Sequence, residues 1–422
     1  MRAEITYRLS DPYVDAAQKN SQRQLALTIA AVSQGNEGRV PLNLCLILDR
    51  SGSMGGEPLD NVRQAACRLV DALDCRDRLS VIAFDHRPTV VVPNQTVERP
   101  ESIKEQIQGL RAAGGTCIDE GLRLGLEEWA KGKHQTIGQV FLLTDGENEH
   151  GSNERCLKFA QLAAEYNVTL HTLGFGDAWN QDVLEKIADA GGGTMVHIQY
   201  PDQAAEEFQW LLRRVQSVGL TDAHLELQMA PNARLAEFKP IAQVAPDTIE
   251  LVTQTEGNRV RARLGDLMVG VERAVLVNFY IDATSSRVLP GSTPDRQVVG
   301  TVQVTYTDPQ RPGATLASEG LAVEIQAIAE HRPQMDEEVQ GRVLALAKYR
   351  QTQLAEAKLQ QGDSAGAATL LQTAAKTALQ MGDTNAATVL QSSATRLQTG
   401  TVLSDAERKQ TRIASKTVLR SE

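Results

Sequence analysis

The chain has 422 residues, of which 41% are hydrophobic and 23% charged, a composition typical of globular proteins too long for one small core. Its 43 lysines and arginines against 53 aspartates and glutamates give a net charge of −10, so it lacks the electropositive field that non-specific nucleic-acid binding needs. We therefore expect two or three domains and no nucleic-acid partner.

The first residues contain no apolar stretch that would serve as a signal sequence. No segment reaches the roughly 20 apolar residues that are needed to span a membrane. The five cysteines lack CxxC spacing, which favours reduced thiols over a disulfide or zinc framework. The sequence thus predicts a soluble, cytoplasmic protein without a membrane span.

The first half of the chain alternates between strand and helix patterns. From Pro41 to about Ser217, short aliphatic or β-branched runs are separated by longer segments with apolar residues at helical spacing. The runs Leu42–Leu48 and Val140–Leu143 are almost continuously apolar, as expected for central strands that are buried on both faces. This α/β region is predicted to form a doubly wound, mostly parallel sheet with helices on both sides.

After Val218 the pattern changes to alternating apolar and polar residues, with turns rich in proline, glycine and asparagine between the segments. We predict an antiparallel β-sandwich here, in which residues 248–253 form one of the strands. Residues 24–32 also read QLALTIAAV, a strand pattern that precedes the α/β region and is followed by a turn-rich segment. If that strand belongs to the later sheet, the α/β domain is inserted in the β-sandwich.

Residues 318–398 are dominated by alanine, leucine and glutamine, which predicts helical hairpins packed through small residues. Residues 359–364 return as residues 379–384, a short repeat in which glycine ends one helix and aspartate caps the next. Ser404 and Glu407 have the spacing of a capping box for a last helix. The predicted multi-domain organisation is an N-terminal segment with one sandwich strand at 1–35, an α/β domain at 36–218, a β-sandwich at 219–317, a helical bundle at 318–400 and a basic helix at 401–422.

Side chains with oxygen atoms follow both predicted central strands and precede one predicted helix. Asp49, Ser51 and Ser53 form a DxSxS pattern directly after the first strand, Asp145 follows the second, and Thr116 stands just before a helix. Because open α/β sheets bind ligands beyond the carboxyl ends of their strands, we expect these side chains to converge. Carboxylate and hydroxyl oxygens, without imidazole or thiolate, favour Mg²⁺, Mn²⁺ or Ca²⁺.

Each part of this pattern alone has a simpler explanation. Asp49 and Ser51 could cap the helix that follows, and Asp145 could begin a turn. The sequence has no nucleophile elbow of the G-x-S-x-G type, no phosphate-binding loop and no HExxH helix. We therefore predict a binding protein and not an enzyme.

The order of DxSxS, threonine and aspartate on an alternating α/β chain resembles the metal-ion-dependent adhesion site of the von Willebrand factor A (VWA) family, in its bacterial intracellular form. The resemblance covers residues from about 40 to 217. It implies that Ser51, Ser53 and Thr116 contact a divalent ion, with Mg²⁺ the first choice, while the two aspartates act partly through water. It also implies a protein ligand that supplies an Asp or Glu carboxylate to the ion.

We accordingly predict a divalent-metal-dependent protein-binding module in an adaptor or scaffold. A carboxylate of the partner would replace one exchangeable water of the bound ion. Two alternatives stay open on the sequence alone. In one, the α/β domain is the metal-binding subunit of a chelatase-like AAA+ ATPase assembly, and in the other the chain is a structural scaffold with an empty metal site.

Two further groups are candidate partner contacts. Glu147 lies in the acidic loop after the second central strand and would select a basic partner, although such loops are often simply solvated. The last helix carries a basic residue at every fourth position, and this basic stripe is either a solvated face or a docking surface for acidic groups. Its residues are Arg408, Arg412, Lys416 and Arg420.

Overall fold

A computed structural model describes residues 1–33, 35, 39–176, 178–284, 295–311 and 313–416. Within these ranges the chain forms an α/β domain, a two-sheet β-sandwich and a helical unit. No helix in the described ranges is long and apolar enough to cross a membrane. The five cysteines are all free thiols, as their spacing predicts.

The N-terminal segment contributes more than the one predicted strand. Its strand β1 pairs antiparallel with β3 over its whole length, from Arg2 opposite Val32 to Leu9 opposite Leu25. The three strands of this segment are β1 (Arg2–Leu9), β2 (Tyr13–Asp15) and β3 (Ser21–Val32).

The α/β domain follows, with elements β4 (Leu42–Asp49), α1 (Glu57–Asp71), β5 (Arg78–Phe84), β6 (Thr89–Thr96), α2 (Pro100–Gln108), α3 (Ile118–Ala130), β7 (Ile137–Thr144), α4 (Asn153–Glu165), β8 (Val168–Phe175), α5 (Gln181–Ala190), β9 (Gly192–Ile198) and α6 (Ala204–Gln216). Its sheet has the order β6-β5-β4-β7-β8-β9, and only β6 runs antiparallel to its neighbour. Every residue of β4, β7 and β8 is buried, because helices pack on both faces of the sheet. The predicted doubly wound domain is confirmed.

The sandwich comprises β10 (Val218–Met229), β11 (Ala233–Leu235), β12 (Ile241–Ala245), β13 (Ile249–Glu250), β14 (Thr253–Glu256), β15 (Arg259–Met268), β16 (Arg273–Ile281), β17 (Asp295–Thr307), β18 (Thr315–Ala317) and β19 (Leu321–Ile328). One sheet has the order β1-β3-β16-β12-β13 and the other β14-β15-β10-β17-β19-β2. β3 pairs antiparallel with β16, from Ser21 opposite Ile281 to Ile29 opposite Arg273. In the chain the α/β domain lies between β3 of one sandwich sheet and β10 of the other, so it is inserted in the β-sandwich, as predicted.

Two sequence-based predictions in this region are wrong. Residues 248–253 do not form one strand, because the chain crosses between sheets there: β13 pairs with β12, and β14 pairs with β15. The helical bundle does not begin at residue 318, because β19 pairs with β17 and turns Val323, Ile325 and Ala327 into the sandwich core. The alanine and glutamine content of β19 resembles the helices that follow, but its alternating burial is that of a strand.

The helical unit consists of α7 (Glu337–Gln360), α8 (Ser364–Gln380), α9 (Thr384–Gln398) and α10 (Asp405–Lys416). Asp363 and Asp383 cap α8 and α9 as the repeat predicts, because each carboxylate accepts a hydrogen bond from the backbone N–H of the third residue of its helix, Gly366 or Ala386. The Ser404 hydroxyl accepts from Glu407 N at 3.3 Å and Ser404 N donates to Glu407 Oε2 at 2.8 Å, which confirms the capping box.

The helical unit touches both other regions. Val339, Leu346 and Tyr349 of α7 pack on the outer face of the β3-β16-β12 sheet, in a cluster that includes Ala26 and Leu276. At its other end, α10 lies against α5 of the α/β domain through several ion pairs. The unit thus bridges the sandwich and the α/β domain.

Candidate metal centre

Three loops meet at the carboxyl edge of the α/β sheet. β4 ends at Asp49 and β7 ends at Thr144, and these neighbouring parallel strands place Asp49 beside the start of the Asp145 loop. The third loop precedes α3 and carries Thr116. Gly52 N donates to Gly114 O at 2.9 Å, which ties this loop to the DxSxS loop.

Asp49 is fully buried, and both of its carboxylate oxygens accept hydrogen bonds. Ser51 N donates to Oδ1 at 2.8 Å, and the hydroxyl of Thr144 donates to Oδ2 at 2.6 Å. These donors fix the orientation of the carboxylate. Sequence analysis missed the part played by Thr144, although a hydroxyl in the last position of a buried strand, directly before Asp145, was a usable signal.

The predicted serines and Asp145 form one connected group. The Ser53 hydroxyl donates to Asp145 Oδ1 at 2.9 Å, and the Ser51 hydroxyl donates to the same oxygen at 3.3 Å. The two serine Oγ atoms lie 3.0 Å apart. Ser53 is exposed while Ser51 is buried, so the group lies at a surface that a ligand can reach.

Thr116 stands at the border of this group. It is buried, and its carbonyl accepts a hydrogen bond from His150 N at 3.1 Å. Its Oγ1 would lie 3.4 Å from a Cβ placed on Gly146, which shows that it faces the Asp145 loop. All five predicted site residues are therefore brought to the same edge of the sheet.

The two carboxyl groups are placed where a negative charge is disfavoured. Burial raises the pKa of Asp49 to about 6, against the lowering effect of the hydrogen bonds from Thr144 and Ser51, and the charge of Asp145 raises it further. Burial also raises the pKa of Asp145, while the hydrogen bonds from Ser53 and Ser51 lower it. A divalent cation between them would stabilise both ionised forms.

The donor set fits a hard cation. It offers two carboxylates and three hydroxyls. A separate type of site, built from three or more His, Cys, Asp or Glu side chains, is not found among the described residues. Hydroxyl and carboxylate oxygens suit Mg²⁺, Mn²⁺ and Ca²⁺, whereas zinc sites usually use imidazole or thiolate. The residues present therefore fit the kind of ion that the sequence predicts.

Two histidines flank the turn that presents Thr116. A Cβ on Gly114 would overlap the His86 ring, and one on Gly115 would lie 2.7 Å from His150 Nε2, so the glycines make room for both imidazoles. The His86 and His150 side chains are 54% and 59% exposed. The histidines are scattered in the sequence without ligand spacing, which predicts a surface or packed role and does not place these two beside the site.

The candidate partner contacts have different surroundings. Glu147 is exposed on the loop that follows Asp145, so it is accessible to a partner. Arg412 and Lys416 are only 12% and 13% exposed, because they form ion pairs with the acidic face of α5. Arg408 is exposed, and Arg420 lies outside the described residues. Two of the four residues of the basic stripe, Arg412 and Lys416, thus dock on the chain's own surface.

A model of the von Willebrand factor type A domain matches residues 43–210. The solved structure of a von Willebrand factor type A protein from Catenulispora acidiphila superimposes with a TM-score of 0.81 at 18% identity, over 99% of this chain and 97% of that chain. The ArnB paralog VWA2 from Sulfolobus acidocaldarius gives a TM-score of 0.54 at 15% identity, over 99% of this chain and 100% of that chain. The α/β domain is thus a VWA domain, a class that generally serves in protein interaction.

The C-terminal helices show to which family of VWA proteins the chain belongs. Residues 337–421 match the model of the Sll0103-like, C-terminal alpha-helical domain. The protein sll0103 from Synechocystis sp. is 52% identical over 419 residues, which cover 99% of this chain and 98% of that protein. The chain therefore belongs to the Sll0103-like family of VWA proteins.

Proposed function

We propose that the chain is a divalent-cation-dependent protein-binding module that acts as an adaptor or scaffold, without catalytic activity of its own. The observation that carries this proposal is the convergence of the Ser51, Ser53 and Asp145 oxygens within 3.3 Å of one another, beside the buried Asp49. Such a group of oxygens at an accessible sheet edge is suited to hold an ion and leave one side open.

The ion would be held by Ser51, Ser53 and Thr116, with Asp49 and Asp145 offsetting its charge partly through water. When bound, the ion supplies a positive centre that attracts an anionic group. Because hydroxyl ligands are neutral, a cation held this way keeps affinity for one more carboxylate. The chain's own residues position the ion, and the Thr144 hydroxyl keeps Asp49 turned towards the site.

The partner in this proposal is a protein that presents an Asp or Glu side chain at a protruding position. It would meet the exposed imidazoles of His86 and His150 on one border of the centre and Glu147 on the loop after Asp145. Mg²⁺ as the resident ion and a cytoplasmic location belong to the same proposal. The AAA+ subunit and the empty scaffold are alternatives without an observation in their favour.

Affinity purification tests the proposal. The full chain is immobilised and exposed to native extract of the source organism, once with Mg²⁺ and once with chelator. We expect a defined set of proteins to be retained with Mg²⁺ and released by chelator. Ser53→Ala should lose this set, because it removes one hydroxyl that would hold the ion.

Glu57→Gln is the matched control. It removes a carboxylate at the exposed first turn of α1, close to the DxSxS loop but outside the oxygen group, and should retain the same proteins as the wild type. Retention of one set of proteins by wild type and Ser53→Ala alike, in chelator as in Mg²⁺, would contradict a metal-dependent interaction.

A further inference from the structure

Ion pairs between α10 and α5 fasten the helical unit to the α/β domain. Arg412 contacts Asp182 and lies 2.7 Å from Glu185 Oε2, and Lys416 Nζ lies 3.1 Å from Glu185 Oε1 and 2.8 Å from Asp189 Oδ1. Arg412, Lys416 and Glu185 are largely shielded from water, so salt screens the pairs with Glu185 less than ordinary surface pairs. The contact therefore holds α10 in one place on α5.

A second contact extends from α10 towards the sheet edge. Lys409 is buried, and its Nζ lies 4.2 Å above the centre of the Trp179 ring. A cation that is removed from water over an indole face is attracted more strongly than one at an exposed site. Trp179 is also buried and lies between β8 and α5. The next residue, Asn180, caps α5. The last helix of the chain thus covers this turn.

Trp179 in turn is fitted to the end of β8. Its indole N–H donates to Gly176 O at 2.7 Å, and its ring occupies the space where a Cβ on Gly174 would stand. The His197 ring packs edge-on against the indole at 5.3 Å between ring centres, and His197 Nε2 lies 2.9 Å from Gly176 O. The indole therefore fixes the backbone at the carboxyl end of β8.

The end of β8 adjoins the candidate metal centre. Gly174 pairs with Thr144 in the parallel ladder of β7 and β8. Thr144 donates its hydroxyl to Asp49 at 2.6 Å, and Asp145 is the next residue. A continuous series of contacts thus runs from Lys409 through Trp179, Gly174 and Thr144 to Asp49.

We propose that Trp179 and Lys409 are positioning residues for the metal centre, through which the docked C-terminal helix raises the affinity of the centre for its ion. The indole presses the end of β8 against β7 and so keeps Thr144 and the Asp145 loop ordered before the ion arrives. Without that contact, part of the binding free energy is used to order the loop. This inference rests on the proposed metal-binding function.

The test uses the full chain and Mn²⁺ as the probe, with the dissociation constant measured by calorimetry and Tm measured without metal. Lys409→Met keeps the length of the side chain but removes the cation over the indole, and we expect about tenfold weaker Mn²⁺ binding, or about 1.4 kcal/mol. Lys409→Arg should restore affinity close to the wild type, because a guanidinium also binds an aromatic face. Lys376→Met, at an exposed position of α8, is the matched control and should behave as the wild type.

Hydrogen exchange of the metal-free protein gives a readout that does not depend on the ion. We expect faster amide exchange at residues 143–146 and 174–176 in Lys409→Met than in Lys376→Met. If Lys409→Met does not fold, Arg412→Gln, which weakens the same docking at its ion pairs, should show the same direction of change in exchange and in affinity.

Each result then decides one claim. Wild-type Mn²⁺ affinity in Lys409→Met, with unchanged exchange and only a lower Tm, would overturn the inference. The contact between Lys409 and Trp179 would then stabilise the fold without affecting the metal centre. Failure of the wild type itself to bind Mn²⁺ would refute the proposed function. In that case hydrogen exchange alone tests whether α10 orders the sheet edge. Equal exchange in Lys409→Met and Lys376→Met would then refute this ordering as well.

Discussion

The α/β domain and the helical unit are stabilised in different ways. The α/β domain fills its core with large side chains, such as Phe84, Phe141 and Phe208, around strands that are buried on both faces. The buried cluster of the helical unit contains nine alanines and four leucines. Alanine lets helices approach closely, but each one buries little apolar surface.

This difference suits the two regions to different tasks. A sheet with a large, close-packed core has little freedom to deform, so its edge can hold polar side chains in a fixed arrangement. A helical unit with a small apolar core depends more on caps and buried charge pairs, which are directional and few. It can be fastened at particular points, as α10 is on α5.

The largest effect is expected in the centre of the sheet. Phe141→Ala removes a fully buried ring from β7 and should lower the free energy of unfolding by about 3–5 kcal/mol. Leu390→Ala in α9 should cost less, about 2–3 kcal/mol, because a smaller side chain is lost. Urea unfolding of both variants measures the difference. A larger loss in Leu390→Ala would contradict the contrast between the two cores.

The repeated Gly-Asp corners provide the next prediction. Asp383 lies 2.8 Å from the Nζ of Lys348, a lysine without any exposed side-chain surface, whereas Asp363 pairs with Lys358 at an exposed position. Asp383→Ala breaks a buried ion pair and a helix cap together and should destabilise the chain by about 3–5 kcal/mol. Asp363→Ala should cause a clearly smaller loss of Tm.

Asp383→Asn sharpens this comparison. It keeps an oxygen that can accept from Ala386 N and from Lys348, so its Tm should lie between those of the wild type and Asp383→Ala. Equal losses of Tm in Asp383→Ala and Asp363→Ala would show that the buried lysine adds nothing to the second corner.

The smallest effect on stability is expected at the metal centre. The pKa of Asp49 is raised to about 6, so the metal-free fold holds the proton more tightly than the unfolded chain does. The stability that protonation provides is complete below about pH 4 and is lost as the pH rises through about 6. At neutral pH, Asp49→Asn removes the disfavoured charge and should not lower the Tm of the metal-free protein.

Mg²⁺ should make the Tm of the wild type higher than that of Asp49→Asn. It should raise the Tm of the wild type, because an ion that binds only the native state stabilises it, and raise the Tm of Asp49→Asn less, because that variant binds the ion more weakly. Thermal scans with and without Mg²⁺ measure both effects. A fall in the Tm of metal-free Asp49→Asn at neutral pH would show that the carboxylate itself holds the fold together.

Much of the fold could be predicted from the sequence because local patterns decide it. The apolar runs of β4 and β7 place Asp49 and Asp145 at strand ends, and the isolated strand pattern before the α/β domain leads to the insertion. Composition was misleading at β19, where the alanine and glutamine of the following helices hid an alternating strand. At residues 248–253 the chain passes from β13 in one sheet to β14 in the other. No local pattern indicates which sheet each of these short strands joins.

The site was only partly predictable for a similar reason. The five predicted ligands belong to short motifs, so spacing and strand ends are enough to find them. His86 and His150 become neighbours of the Gly114–Gly115 turn only through the packing of three separate loops. The docking of α10 on α5 joins residues that are more than 220 positions apart, as the Lys416 bond to Asp189 shows, and follows from the arrangement of whole domains.

Calorimetric titration of Mg²⁺ and Mn²⁺ into the wild type, Asp49→Asn and the control Glu57→Gln at neutral pH tests most directly whether the oxygen group binds a metal ion. We expect saturable binding of one ion by the wild type and the control, and binding at least tenfold weaker, by about 1.4 kcal/mol, in Asp49→Asn, because the buried charge that compensates the ion is gone. Equal affinity in wild type and Asp49→Asn would contradict the assignment of this oxygen group as a metal centre.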